Sequence, residues 1–156
     1  MIYRIMLAAS HLGMLAAGFA LGVYFLPILT APPSPTTADI QTVTNAATFK
    51  GRFARDLRGS DFLHWGEGEV FVGRDRIAHT GKLAPGPDYR LYLAKSFVDT
   101  KEGFLAIKTQ SVQIAEIKTF NGFIAPVPTA IDVTSYTTVV VWCEAFSQFI
   151  SAAKYK

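Results

Sequence analysis

The chain has 156 residues, half of them hydrophobic and 17% charged, with a formal net charge of +3. That composition excludes a disordered chain, a collagen-like fibre and an acidic solvating tail. The length allows one ordinary domain plus an appendage. Arg4 is one of 15 Lys and Arg residues, and the others stand nearly in balance with 12 Asp and Glu. They are interspersed, with no basic run able to track a phosphate backbone, so no nucleic-acid partner is expected. The single cysteine, Cys143, rules out an internal disulfide.

From Ile5 to Ala38 there is no Asp, Glu, Lys or Arg, and Ile5 to Leu29 is apolar but for Ser10 and His11. As a helix this stretch exceeds the ~30 Å hydrocarbon core. Residues 1–29 are therefore expected to form an uncleaved transmembrane anchor. A cleaved signal peptide is the alternative, but its apolar region is shorter, and here Ala31 is followed by Pro32 and Pro33. Arg4 lies on the short side, and no basic residue follows the span before Lys50. The expected topology is single-pass with the N-terminus cytoplasmic; in a bacterium the remainder would lie in the periplasm, on the inner membrane.

Gly18 and Gly22 make a G-x-x-x-G pair, and Gly13 with Ala17 continues the small-residue spacing. Such spacing lets a partner helix approach closely, although glycine is common in membrane helices in any case. His11 is either a ligand or hydrogen-bonding contact within the membrane, or a neutral side chain near the cytoplasmic interface. Residues 30–43, with Pro32, Pro33 and Pro35, read as a stiff, extended linker that spaces a globular part off the membrane.

Residues 44–156 read as all-β: short β-prone runs between turn residues. Strands are predicted at Ala47–Phe53, Glu67–Val72, Arg76–Thr80, Tyr89–Ala94, Val112–Lys118, Gly122–Val127 and Thr137–Cys143. Such strands suggest an antiparallel β-sandwich, Greek-key or barrel-like. Glu144–Ala153 alone resembles a helix. The run Thr138–Cys143 is apolar on both faces and should be a central strand, with Val139, Val141 and Cys143 facing one way and Val140 and Trp142 the other.

The block Gly86-Pro87-Asp88-Tyr89-Arg90-Leu91-Tyr92-Leu93 and the stretch Pro128–Phe146, with Tyr136 and Val139-Val140-Val141-Trp142-Cys143, resemble the electron-transfer DM-thirteen (DM13) domain. His64 before Gly66 and Gly68, and Ile117-Lys118 before Gly122, fit the same pattern, whereas Ala125-Pro126-Val127-Pro128 departs from it. The resemblance implies a β-rich extracytoplasmic module in redox chains. It also implies that Cys143 matches a characteristic cysteine, acting as a redox thiol or as ligand to a prosthetic group such as haem.

The chain's own residues support that chemistry weakly. Two histidines outside the anchor, His64 and His79, with Cys143 just meet the count for a copper site, but no methionine lies beyond Met14 and no histidine follows the cysteine. Zinc spacing and C-x-x-C-H are absent, so neither a metal nor a cofactor is expected; His64 and Cys143 are the candidates for non-covalent haem. A redox thiol needs exposure and a thiolate, which the neighbouring Glu144 disfavours. No nucleophile elbow, metal-hydrolase helix or phosphate loop argues for an enzyme, and Asp88 reads as a turn former. Trp65, read as a loop residue, is the candidate partner contact.

The expected function is a non-catalytic accessory subunit of a membrane electron-transfer complex, respiratory or photosynthetic. The alternatives are a thiol or haem module using Cys143 and a sandwich that binds a small hydrophobic molecule between its sheets.

Overall fold

The computed structural model describes all 156 residues. Its first element, α1, is a helix over Ile2–Thr30 that buries none of its residues. It is apolar all round, the pattern of a helix surrounded by lipid or by other helices. The prolines of Ala31–Thr36 end it.

Where a linker was expected up to residue 43, a second helix, α2, occupies Thr37–Ala46. The cause is a capping box: Thr36 Oγ1 accepts the Asp39 N–H at 3.2 Å, and Asp39 Oδ2 accepts the Thr36 N–H at 3.1 Å. Val43 of this helix is buried, and α2 rests on the outer face of the first sheet.

Eight strands follow: β1 (Phe49–Phe53), β2 (Gly66–Val72), β3 (Arg76–Leu83), β4 (Tyr89–Ala94), β5 (Val112–Ile117), β6 (Asn121–Pro126), β7 (Thr138–Cys143) and β8 (Gln148–Lys154). They form two antiparallel four-stranded sheets, ordered β1-β2-β3-β6 and β5-β4-β7-β8. β1 lies against β8 and β5 against β6, so the sandwich is nearly closed along both edges. β2 and β3 bend where Gly68 faces Gly81, both at positive φ (117° and 144°). A Cβ on either would collide with the backbone of the opposite strand.

β7 is central as expected, and all its residues are buried. Val139, Val141 and Cys143 enter the core between the sheets, while Val140 and Trp142 enter a smaller core on the outer side. That outer core is roofed by a helix the sequence reading missed, α3 (Lys101–Ile107), capped by Thr100 and seated through buried Phe104. The helix expected over Glu144–Ala153 is instead a turn and strand β8. Its Ile150 and Ala153 face the main core while Phe149 and Ala152 face the outer one. Pairing with β7 and burial on both sides override the helix propensity of the alanines.

His79 lies inside the main sandwich. Its ring is 5.1 Å from that of Phe53 and 5.2 Å from that of Phe123, and Nε2–H donates to the Glu67 carbonyl at 3.0 Å. Burial lowers its pKa from 6.5 to about 4, so the folded chain holds it neutral. Because the unfolded chain binds that proton more readily, the stabilisation is complete above about pH 6.5 and erodes as pH falls toward 4, by about 3 kcal/mol. Urea unfolding at a series of pH values should show this slope, and His79→Leu should flatten it.

Candidate functional site

The candidate site lies at one end of the sandwich, where β4 begins and β7 ends. Tyr89 and Cys143 are register partners there, so the Gly-Pro-Asp loop before β4 folds over the end of β7. Tyr89 O–H donates to the Ala84 carbonyl at 2.9 Å and pins that loop. A Cβ at Gly86 would collide with the Tyr89 hydroxyl, which is why a glycine stands there. Asp88 takes a left-handed φ of 52°, accepts the Glu144 N–H on its carbonyl at 3.0 Å and holds Arg90 at 2.5 Å through its carboxylate. It is a turn residue tying two strands together.

Cys143 is free and buried, and its S–H donates to the Pro87 carbonyl at 3.0 Å. Burial pushes the thiol pKa up, and the Asp88 and Glu144 carboxylates add to the effect. The thiolate that redox exchange or haem ligation requires is therefore disfavoured twice, by access and by charge. As a thiolate ligand to haem, Cys143 does not fit.

His64 is placed by Asp61. Asp61 Oδ1 accepts the backbone N–H groups of Leu63 (2.7 Å) and His64 (2.8 Å), and Oδ2 lies 2.8 Å from His64 Nδ1. A carboxylate only accepts, so Nδ1 carries the proton and Nε2 is left without a partner in the chain. Burial alone would raise the Asp61 pKa, but these hydrogen bonds and the His64 ring outweigh it and hold the carboxyl below its usual range. Trp65 is half-buried, with the Arg55 guanidinium 3.6 Å above its ring.

His64 and Cys143, far apart in sequence, line one crevice of about 430 Å³. Its sandwich wall also includes Pro87, Tyr89 and Phe146, and its other wall is the α1 face bearing Phe19, Val23 and Tyr24. His79 lies in the core between the sheets, does not line this crevice and takes no part. No group of three or more His, Cys, Asp or Glu is placed to hold a metal ion.

On α1, His11 Nδ1 lies 2.8 Å from the Leu7 carbonyl, a local contact within the helix. Gly13, Gly18 and Gly22 have open space where a Cβ would be. Helical geometry puts the Gly13/Ala17 pair about 140° around the axis from the Gly18/Gly22 pair. They form two small-residue faces and not one continuous stripe.

The sequence reading missed two features. One is the rim beside the crevice, where Phe62 is 85% exposed, Phe146 51% and Leu63 40%. The signal was present as an apolar Phe-Leu pair inside the polar loop of residues 54–65. The other is the outer-face network, in which Glu144 accepts from Tyr92 O–H and from Lys108 Nζ, the latter at 2.6 Å. Burial raises the Glu144 carboxyl, but the Lys108 ammonium and the Tyr92 hydroxyl outweigh it and leave it lowered; Tyr92 is raised by burial and by Glu144.

The family model described as "Electron transfer DM13" matches residues 36–155, from the capping Thr36 through β8. No curated protein and no solved structure matches the chain.

The geometry around Cys143 makes a direct prediction. In the folded protein the thiol should resist a thiol-specific disulfide reagent at neutral pH and react stoichiometrically once urea unfolds the chain. Fast labelling of the native state would contradict its buried, protonated character.

Proposed function

The chain belongs to the electron-transfer DM13 family, and from that premise we propose that it is a membrane-anchored accessory subunit of an electron-transfer complex. In this reading α1 crosses a bacterial inner membrane, with Arg4 and the N-terminus in the cytoplasm and the sandwich in the periplasm. The sandwich is non-catalytic: it braces extracytoplasmic parts of a respiratory or photosynthetic assembly, while α1 packs among that assembly's helices.

The observation that carries this reading is α1 itself. It is a 29-residue apolar helix with no buried residue, attached to a sandwich whose core is complete without it. A helix apolar on every side needs lipid or protein around it. Its two small-residue faces offer close approach to neighbouring helices, where packing and not hydrophobicity drives association. The competing reading, with Cys143 as a redox centre, is weakened by the buried thiol and its raised pKa.

Purification in mild detergent tests the proposal. The chain should co-purify with haem or pigment proteins at a fixed ratio, while the isolated sandwich is colourless. Gly18→Ile with Gly22→Ile should release the partners and leave the chain in the membrane. A lone chain carrying its own absorbing cofactor would overturn the accessory role.

A further inference from the structure

The depth of the crevice relative to the bilayer follows from α1. Its 29 residues span about 43 Å as a helix, well beyond a ~30 Å hydrocarbon core. Tyr3 and Tyr24 are about 32 Å apart along the axis, the spacing of the two interfacial aromatic belts. With Tyr24 at the outer interface, the residues after it stand in the headgroup region. The sandwich lies beside this upper part of the helix. Leu26, Pro27 and Thr30 face Gly86–Asp88 and Glu116–Lys118, and the crevice opens lower, at Phe19–Tyr24. The rim of Phe62, Leu63 and Phe146 is then level with the outermost acyl chains, at the depth interfacial apolar groups reach.

The crevice walls are apolar and aromatic, and their polar groups can be accounted for one by one. Tyr89 O–H is committed to Ala84, Cys143 S–H to Pro87, and His64 Nδ1–H to Asp61. What remain are the Tyr24 hydroxyl, which makes no hydrogen bond within the chain, and His64 Nε2. A neutral His64 accepts there from a hydroxyl; protonated beside the Asp61 carboxylate, it donates to a carbonyl. A flat ring bearing an oxygen that alternates between carbonyl and hydroxyl suits both states. A phospholipid acyl chain would leave Nε2 unpaired.

We propose that the crevice between α1 and the sandwich binds the headgroup of a membrane-soluble quinone, which reaches it sideways from the bilayer and hydrogen-bonds His64 Nε2. The proposal concerns binding, with no electron passing through the chain's own residues, and it rests on the reading that α1 crosses the membrane. At about 430 Å³ the space suits a small ring and the start of its tail.

The test uses the full chain in lipid nanodiscs, titrated with a decyl-substituted benzoquinone while the fluorescence of Trp65, next to His64, is followed. Quenching should saturate. His64→Ala should weaken binding by roughly tenfold, the scale of one hydrogen bond, and Val23→Trp should fill the crevice and abolish saturation, with circular dichroism confirming that both variants fold. Quenching that rises linearly with probe-to-lipid ratio and is the same in both variants would overturn the proposal. So would a phospholipid retained by the wild-type chain and lost in Val23→Trp that the probe does not displace. Alkaline carbonate extraction separates the two readings: a chain released from membranes overturns the anchor, whereas a retained chain with linear quenching overturns only the quinone site.

Discussion

The structure is organised by the pairing of β4 with β7, two strands buried on both faces. On one side Tyr89, Leu91, Leu93, Val139, Val141 and Cys143 fill the space between the sheets; on the other Tyr92, Ala94, Val140 and Trp142 need a second cover. That cover is α3, with the Phe104 ring 5.3 Å from Tyr92 and 5.0 Å from Trp142. Burying a strand on both faces removes its polar edges from water, so each needs a neighbour. β5 and β8 supply them, and the chain after Cys143 is thereby committed to a strand.

The same pairing fixes the end of the sandwich. The antiparallel register puts the start of β4 beside the finish of β7, bringing the Gly-Pro-Asp loop over the cysteine and binding loop and turn through Asp88 and Glu144. On the outer face Glu144 is also held by Lys108 and Tyr92, so one short turn is tied to three elements. The loop carrying His64 is set by Asp61 and joined to the Gly-Pro-Asp loop by the Ala84 N–H to Trp65 carbonyl bond of 2.9 Å. An oriented imidazole and a buried thiol lining one crevice are the outcome, in a domain of an electron-transfer family.

Much of the fold was legible because its periodicity is unambiguous. The alternation of Val139 to Cys143 between two buried faces and the bounds of Tyr89–Ala94 follow from β-branched and aromatic residues flanked by turn formers. Two of the departures share one physical origin: local propensity met a long-range requirement. Ala152 and Ala153 are good helix residues, yet β7 needed a partner. Lys101–Ile107 holds a glycine and looks undistinguished, but the exposed outer face of Trp142 demands a roof. Helix α2 is different, since Thr36 and Asp39 stand at capping-box spacing in the sequence itself, next to prolines that by themselves suit a linker. At the site, His64 and Cys143 could be named from sequence, but their convergence on one crevice could not. It depends on the β4–β7 register and on how α1 approaches the sandwich.

The tether between helix and sandwich has a mechanical consequence. The six residues Ala31–Thr36 join α1 to α2, and even fully extended they reach only about 20 Å. Because α2 is itself fastened to the first sheet, the sandwich is leashed more closely than one carried on a long flexible stalk. Under the anchoring proposed above, so short a leash makes contact between rim and membrane an intramolecular event, with an effective concentration on the order of millimolar. Weak individual contacts at Phe62, Leu63 and Phe146 can then hold the sandwich in one attitude, so that any protein meeting it finds the same face presented each time.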